Sequence, residues 1–532
     1  MAERLLSRRS FVTGAATAAA QWRCLAQSVA SQGETDPASL QARQKAAWRR
    51  RSLILDDDGD MVYAEQSLQG PEKFLSLRMH DCRDAGVDSL AWCMMWGVAI
   101  KGKTPIRYWQ TQRNGVPFQQ NMPDPTQVVA NFCRANNIEA FGSIRMNDSH
   151  DAFGMPFSEL AYPLKVNHPE LLIGDESQRG RPPDGLEAAM WSGFDFSHKR
   201  VREDRLWWVQ NTAQKCDLNG VDLNFFRMPW YFKLGEEEKH MPLMTEFIRQ
   251  ARKSLDEISR RRGRPVLLGV RVPGTVAACN RIGLDVEAWL RERLVDRLLT
   301  GGGYVCYSTP AEELVKLGHR FEVPVYPCIN CPANYTLGGN NLRAAASNFW
   351  QAGADGIYLW NFHYLPAAGS LGYGRPAHEQ YNKILPEMAD PHRLKYLDKS
   401  FPVNHRVWEQ YQRASAPAPL PISLRNAPTI IVRIGDDIPS ALREGKLRSV
   451  ALRLELQRAV EGDSLAIRFN GASEKAKIVT RDQPIVLPLP PLAVKQGVNQ
   501  LQLAIAHRGE SAAGEIVLEQ ALVNIGYRRD NS

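Results

Sequence analysis

The chain has 532 residues, 44% of them hydrophobic and 23% charged. That length exceeds one ordinary domain, and that balance excludes a disordered chain, a collagen-like fibre and a multi-span membrane protein. Its 66 Lys and Arg against 58 Asp and Glu leave a formal charge of +8, spread along the chain rather than massed, so nucleic-acid binding is not indicated.

The first 30 residues read as an address. Ser7-Arg8-Arg9-Ser10-Phe11-Val12 precedes a weakly apolar run from Gly14 to Ala20, the pattern of a twin-arginine export signal. A membrane span needs about 20 apolar residues, so this run predicts no stable span. Small residues at Cys24-Leu25-Ala26 and Ser28-Val29-Ala30 suit a processing peptidase. The expectation is a chain carried by the twin-arginine machinery to the periplasm or the cell exterior, with residues 31–50 as a lead-in.

From residue 51 the pattern alternates. Short branched or aromatic runs at 52–55, 89–92, 138–144, 221–226, 266–270, 304–307, 323–326 and 356–360 read as buried parallel strands. Helical stretches at 72–85, 126–136, 199–215, 239–262, 286–299, 311–319, 342–351 and 379–388 separate or follow them. Gly86 and Gly353 sit where helix C-caps belong. Eight strand–helix units predict an α/β fold, a (β/α)8 TIM barrel over 51–413. An open doubly wound sheet would call for a glycine-rich fingerprint after the first strand, and none stands there. The stretch 145–198 is long for a loop and should wall the active-site cleft.

A Pro/Ala linker, 414–424, follows. Over 425–532 apolar and polar residues alternate at 430–434, 450–456, 465–469 and 501–505, with Asn470-Gly471 as a turn. This predicts a C-terminal antiparallel β-sandwich with an accessory role. Of the nine cysteines Cys24 lies in the signal, and the other eight show no small-domain disulfide framework and read as buried thiols. Cys328-Ile329-Asn330-Cys331 has redox spacing but lies at a strand end rather than a helix N-terminus.

Barrel geometry sorts polar residues by height, because those just after a strand face the active-site mouth and those just before it face the stabilising end. Asp88 and Asp355 precede strands and read as structural. The mouth should hold Asp56, Asp57, Asp58 and Asp60, then Trp96, then Arg145, Asn147, Asp148 and His150. Asp222 and Asn224 alternate with Val221 and Leu223, and Arg227 and Trp230 follow them. Arg271, Asn330, Trp360 and Asn361 complete the set. Asp222 would point into the barrel, where a buried carboxylate needs a site or an internal pair with Arg227. Carboxylates, arginines, amides and indoles converging on one mouth suit carbohydrate chemistry: sugar rings stack on aromatics and glycosidic cleavage uses a carboxyl pair. No His and carboxylate group shares metal-ligand spacing, and no cofactor is expected.

The runs Leu53-Ile54-Leu55-Asp56-Asp57-Asp58-Gly59-Asp60, Arg145 to Asp148, Asn219 to Arg227, and Gly356-Ile357-Tyr358-Leu359-Trp360-Asn361 resemble those of glycosyl hydrolase-like family 10 barrel domains of secreted bacterial proteins. The resemblance covers roughly residues 50–390 and implies a barrel with glycoside hydrolase character. The fourth-strand segment departs from the chitinase-type pattern Asp-Gly-x-Asp-x-Asp-x-Glu. Asn219, Asn224 and Phe226 stand at three of its acidic positions, and an amide cannot donate a proton as a carboxylic acid does.

The sequence thus predicts an exported glycoside hydrolase acting on a poly- or oligosaccharide. Asp148 and Asp222 are the first acid/base or nucleophile candidates, with Asp57 and Asp58 in reserve. Arg145, His150, Asn224, Arg227, Arg271 and Asn361 would bind substrate, and Trp96, Trp230 and Trp360 would supply stacking faces. The alternative is a non-catalytic carbohydrate-binding or scaffold protein, favoured by the two asparagines of the fourth strand.

Overall fold

The structure, a computed structural model, describes residues 37–57, 70–94, 125–152, 162–178, 190–301, 309–330, 338–360, 378–405, 414, 418–477, 483–510 and 513–528. Eight parallel strands close into a barrel in chain order: β1 Leu53–Asp57, β2 Ser89–Cys93, β3 Glu139–Arg145, β4 Gly220–Asn224, β5 Leu267–Val272, β6 Arg297–Thr300, β7 Val325–Asn330 and β8 Ile357–Trp360. Helices lie between the strands, and β8 pairs back onto β1. The fold is a TIM barrel followed by antiparallel sheets.

One element differs from expectation. The helix read at 286–299 ends at Arg291, and its last residues form β6. Leu290, Leu294 and Leu298 repeat every four residues and imitate a helix face. Arg293, at φ 56°, turns the chain out of the helix. The amide of Asp296 then donates to the Leu268 carbonyl at 2.8 Å, starting the strand ladder. Residues 304–307, the predicted sixth strand, lie outside the described residues.

Strand parity decides which side chains meet. Successive residues point to opposite faces. Leu53 and Leu55, Val221 and Leu223, Leu268 and Val270 therefore pack in the large core that includes the surrounding helices. Ile54, Ala91, Leu299, Tyr326, Cys328, Tyr358 and Trp360 form a separate cluster inside the barrel. Asp222, Asn224, Gly269, Arg271 and Arg297 share that inward parity.

The N-terminal end of the barrel repeats one device. One or two residues before each even strand stands an Asp or Asn whose side chain accepts an amide near the start of the preceding odd strand. Asp88 accepts from Ser52 and Leu53 (2.8 and 3.2 Å), Asn219 from Ala140 (3.0 Å), Asp296 from Leu268 (2.7 Å) and Asp355 from Val325 (2.8 Å). These bonds satisfy donors that a strand entering a buried barrel would otherwise leave open. Asp296 also pairs with Arg43 and Arg252 (2.8 and 2.7 Å), which ties the helix Pro37–Ala47 under the barrel. Asp88 and Asp355 are structural, as their positions before strands predicted.

The C-terminal strands are β9 Lys399–Pro402, β10 Ile422–Ser423, β11 Thr429–Ile434, β12 Leu447–Gln457, β13 Ser464–Phe469, β14 Ala472–Lys477, β15 Ile485–Pro488, β16 Gly497–His507 and β17 Val517–Tyr527. One sheet runs β10-β17-β12-β15 with β9 also on β17, and the other β11-β16-β13-β14. Lys399–Pro402 falls within the 51–413 segment assigned to the barrel, yet it pairs with β17. The second unit thus takes a strand from before the Pro/Ala segment. It also docks closely. Asp436 accepts from Ser347 and Tyr527 at 2.5 Å each and pairs with Lys399 at 2.9 Å, all buried or nearly so.

Candidate active site

Inside the barrel, charged groups are stacked from the N-terminal end upward. Arg51 binds Glu139 with Nε to Oε2 at 2.5 Å. The ring of Phe141 lies between Arg51 and Arg297, whose guanidinium carbons stand 6.0 and 3.2 Å from its centroid. Arg297 then grips both oxygens of Asp222, through Nε to Oδ1 at 2.9 Å and through Nη2 to Oδ2, and reaches Ser89 Oγ at 3.3 Å. A side chain on Gly269 would run into both members of this pair, so glycine is required there. The internal partner expected for Asp222 was Arg227. It is Arg297, because closure sets β6 rather than the β4 terminus beside that carboxylate.

Above this layer lies the mouth. Tyr358 donates to Asp56 Oδ2 at 2.7 Å. Burial pushes the Tyr358 phenol well above its ordinary range, so this hydroxyl remains a donor at neutral pH. Arg145, the last residue of β3, pairs through Nη1 with Asp148 Oδ2 at 2.8 Å, both almost fully buried. Asn224 is Arg145's register neighbour on β4, and its side chain accepts the Phe226 amide at 3.1 Å. The guanidinium carbons of Arg271 and Arg227 stand 4.5 and 5.4 Å from the centroid of Trp360. Buried guanidinium–indole contacts of this kind hold an arginine without neutralising it.

The segment after β3 is held down by its own polar residues. Asn147 accepts the Phe194 amide (2.9 Å) and donates to the carbonyls of Phe194 (2.9 Å) and Trp230 (2.8 Å). Trp230 donates to Ser149 at 2.9 Å and is itself buried. Lys165 bridges the Asp148 carbonyl (2.6 Å) and the Asp151 carboxylate (3.0 Å), and Ser192 also donates to Asp151. Burial raises the pKa of Asp151 against the opposing pull of Lys165.

The remaining predicted residues are distributed differently. Asp57 is buried with the parity of Leu53 and Leu55, beside Trp92 rather than inside the barrel. Asp58, Trp96 and Asn361 lie outside the described residues. The backbone of His150 begins a short 3-10 turn, His150–Ala152, and its side chain is not among those described. Cys328 is buried on β7, and burial pushes its thiol up to about 11, so it is protonated at neutral pH and is no activated redox thiol. Cys331 lies outside the described residues. Among the described residues no group of three or more His, Cys, Asp or Glu is placed to hold a metal, and no helix is long and apolar enough to cross a membrane.

Sequence reasoning passed over Asp56 in favour of Asp57 and Asp58. The two-residue period running from Ile54 would have chosen it. Asp151, Lys165 and Ser192 carried no such signal, because their contact depends on how the long loop folds back.

No protein-family model matches the chain and no curated protein does. The resemblance to glycosyl hydrolase-like family 10 barrels therefore stands on the quoted motifs alone. Solved structures similar to the chain include GH36 alpha-galactosidase AgaA from Geobacillus stearothermophilus, 11% identical over 88% of this chain and 58% of that one, at a TM-score of 0.36. Alpha-L-fucosidase isoenzyme 2 from Paenibacillus thiaminolyticus is 12% identical over 65% and 49%, at 0.40. Tryptophan synthase from M. tuberculosis is 11% identical over 66% and 95%, at 0.30. The chain spans about half the length of the first two. Likeness this distant, reaching proteins of unrelated activity, says nothing about chemistry.

Proposed function

We propose that the barrel mouth binds a poly- or oligosaccharide and hydrolyses a glycosidic bond in it, with Asp148 as the reacting carboxylate. The observation that carries this reading is the Arg145–Asp148 pair at the C-terminal end of β3. A guanidinium against a carboxylate favours its ionised form, as a general base or nucleophile requires, and Asn224 at the end of the next strand, with Arg227 beyond it, would meet hydroxyls. Asp56 on β1, held by Tyr358 of β8, is the second carboxyl group of the mouth. Asp222, with both oxygens on Arg297, supports the mouth from beneath and is a positioning residue. Export by the twin-arginine route rests on Ser7-Arg8-Arg9-Ser10-Phe11-Val12.

A second reading has a specific observation behind it. Asp56, Asp148, Asp151 and Asp222 each have a hydrogen-bonding or ion-pair partner within the protein, as suits a barrel that binds sugar without cleaving it. One experiment separates the two. The chain recovered from the exported fraction is screened for hydrolysis and binding of neutral and acidic glycans, and the Arg8→Lys, Arg9→Lys precursor is the control that should stay in the cytoplasm. Asp148→Asn should lower turnover by about 10²–10⁴-fold and leave binding within a few-fold. Wild-type binding with no turnover on any glycan selects the second reading, and normal export of the double-lysine precursor removes the localisation.

A further inference from the structure

We infer that the mouth takes an oxyanion group, the carboxylate or sulfate of an acidic sugar, on the guanidinium of Arg271; this deepens the reading of the mouth as a glycan site and rests on it. Arg271 lies near the C-terminal end of β5 and has no exposed surface. Among the described residues none of its three nitrogens, Nε, Nη1 and Nη2, has an oxygen or nitrogen hydrogen-bond partner, and the Cys328 thiol is its weak contact. Its surroundings are the faces of Trp360 (4.5 Å) and Tyr358 (5.7 Å) and the thiol of Cys328. An indole face attracts a cation but accepts none of its five N–H donors, and a thiol is a weak acceptor.

A buried guanidinium is ordinarily paired, because a charge taken out of water without a partner is strongly unfavourable. Every other fully buried arginine for which contacts are described in this barrel obeys that rule. Arg51 holds Glu139, Arg145 holds Asp148, Arg205 holds Asp204 and Arg297 holds Asp222. Arg271 departs from it at the end of the barrel where ligands bind. The planar fork of an arginine matches the two oxygens of a carboxylate or sulfate. Arg227, on the same indole, adds a second positive charge. The two arginines thus form a preset anion subsite, with the Arg271 fork supplied by the protein and its oxyanion partner by the ligand.

The test uses the full chain and three probes. Inorganic sulfate, compared with chloride at equal ionic strength, tests the anion alone. Tetragalacturonate tests the anion on a sugar, and its methyl ester supplies the same sugar without charge. Sulfate or tetragalacturonate should raise the Tm of the wild type beyond the chloride control, and Arg271→Met should weaken that binding by about 10- to 100-fold. Without anion, Arg271→Met and Arg271→Gln should be as stable as the wild type or more so, since an unpaired buried charge is removed. An anion response unchanged in Arg271→Met overturns the inference. So does marked destabilisation or unfolding of both variants without anion, which would make the guanidinium structural. Neutral glycans bound with no response to either anion also overturn it while leaving the glycan reading intact. Sulfate bound through Arg271 with no glycan bound or cleaved supports the anion subsite and ends the glycan reading.

Discussion

Arg297 and Arg271 stand on neighbouring strands inside one barrel, both without exposed surface. They differ in company. Arg297, roughly two residues lower along the barrel, about 6–7 Å, has both oxygens of Asp222, a serine hydroxyl and a phenyl face. Arg271 has aromatic faces and a thiol. The same contrast holds between the two ends of the barrel. At the N-terminal end, Asp88, Asn219, Asp296 and Asp355 are consumed by backbone amides and arginines. At the C-terminal end, Asp56 and Asp148 are held by Tyr358 and Arg145, whereas Arg271 meets aromatic faces and a thiol. Charge serves stability where its partners are internal, and is available to a ligand where they are not.

The largest test of that contrast is Arg297→Met. It leaves the Asp222 carboxylate buried and unpaired, and should cost about 3–5 kcal/mol of unfolding free energy, measured by urea denaturation. Adding Asp222→Leu should restore most of the loss, because an apolar pair of similar volume replaces the ion pair. Arg271→Met should show no such loss. If the two methionine variants were equally unstable, the distinction between the layers would collapse.

A smaller effect follows from the protonated groups buried around the mouth. Burial raises the Cys328 thiol from 9.0 to about 11 and the phenols of Tyr358 and Tyr231 well above 10.0. In the unfolded chain these groups lose protons at their ordinary values, so above about pH 9 the folded state holds more protons than the unfolded one. Their contribution is full below that pH and is lost as pH rises through the folded values. Each group adds a slope of up to about 1.4 kcal/mol per pH unit. Urea midpoints should therefore fall between about pH 8 and about pH 10.5, and a flat profile would contradict the burial of these groups.

The smallest effect concerns Asn219, which stands where a chitinase-type motif has an acid. Its Oδ1 accepts the Ala140 amide at the opposite end of the barrel from the mouth. Asn219→Ala should cost about 1 kcal/mol of stability and leave glycan affinity and turnover unchanged. A change in affinity without a change in stability would return Asn219 to the site.

How much was legible depended on how local the signal was. Seven of the eight strands lay where short apolar runs predicted, because a strand buried on both faces writes itself as such a run. β6 was hidden by leucines at helical spacing, and only the turn at Arg293 and the ladder to Leu268 separate it from a helix. The inward direction of Asp222 and Asn224 was readable from alternation with Val221 and Leu223, and so was that of Asp56 from Ile54. Which groups those side chains meet was not.

By itself the sequence determined the barrel, the antiparallel strands that follow the Pro/Ala segment, and the inward direction of Asp222 and Asn224, all of which follow from periods of two or about 3.6 residues along the chain. Tertiary structure alone decided the partners. Asp222 meets Arg297 across 75 residues, Tyr358 reaches Asp56 across 302, and Ser347 meets Asp436 across 89. Strand Lys399–Pro402 likewise joins a sheet whose partner strand begins at Val517. Such pairings depend on where barrel closure and docking bring remote segments, and local periodicity has no reach over those distances. Arg271 shows the same limit from the other side. Its place on β5 was legible from sequence, but that its guanidinium has no oxygen or nitrogen hydrogen-bond partner among the described residues emerges only once every neighbouring strand is in position.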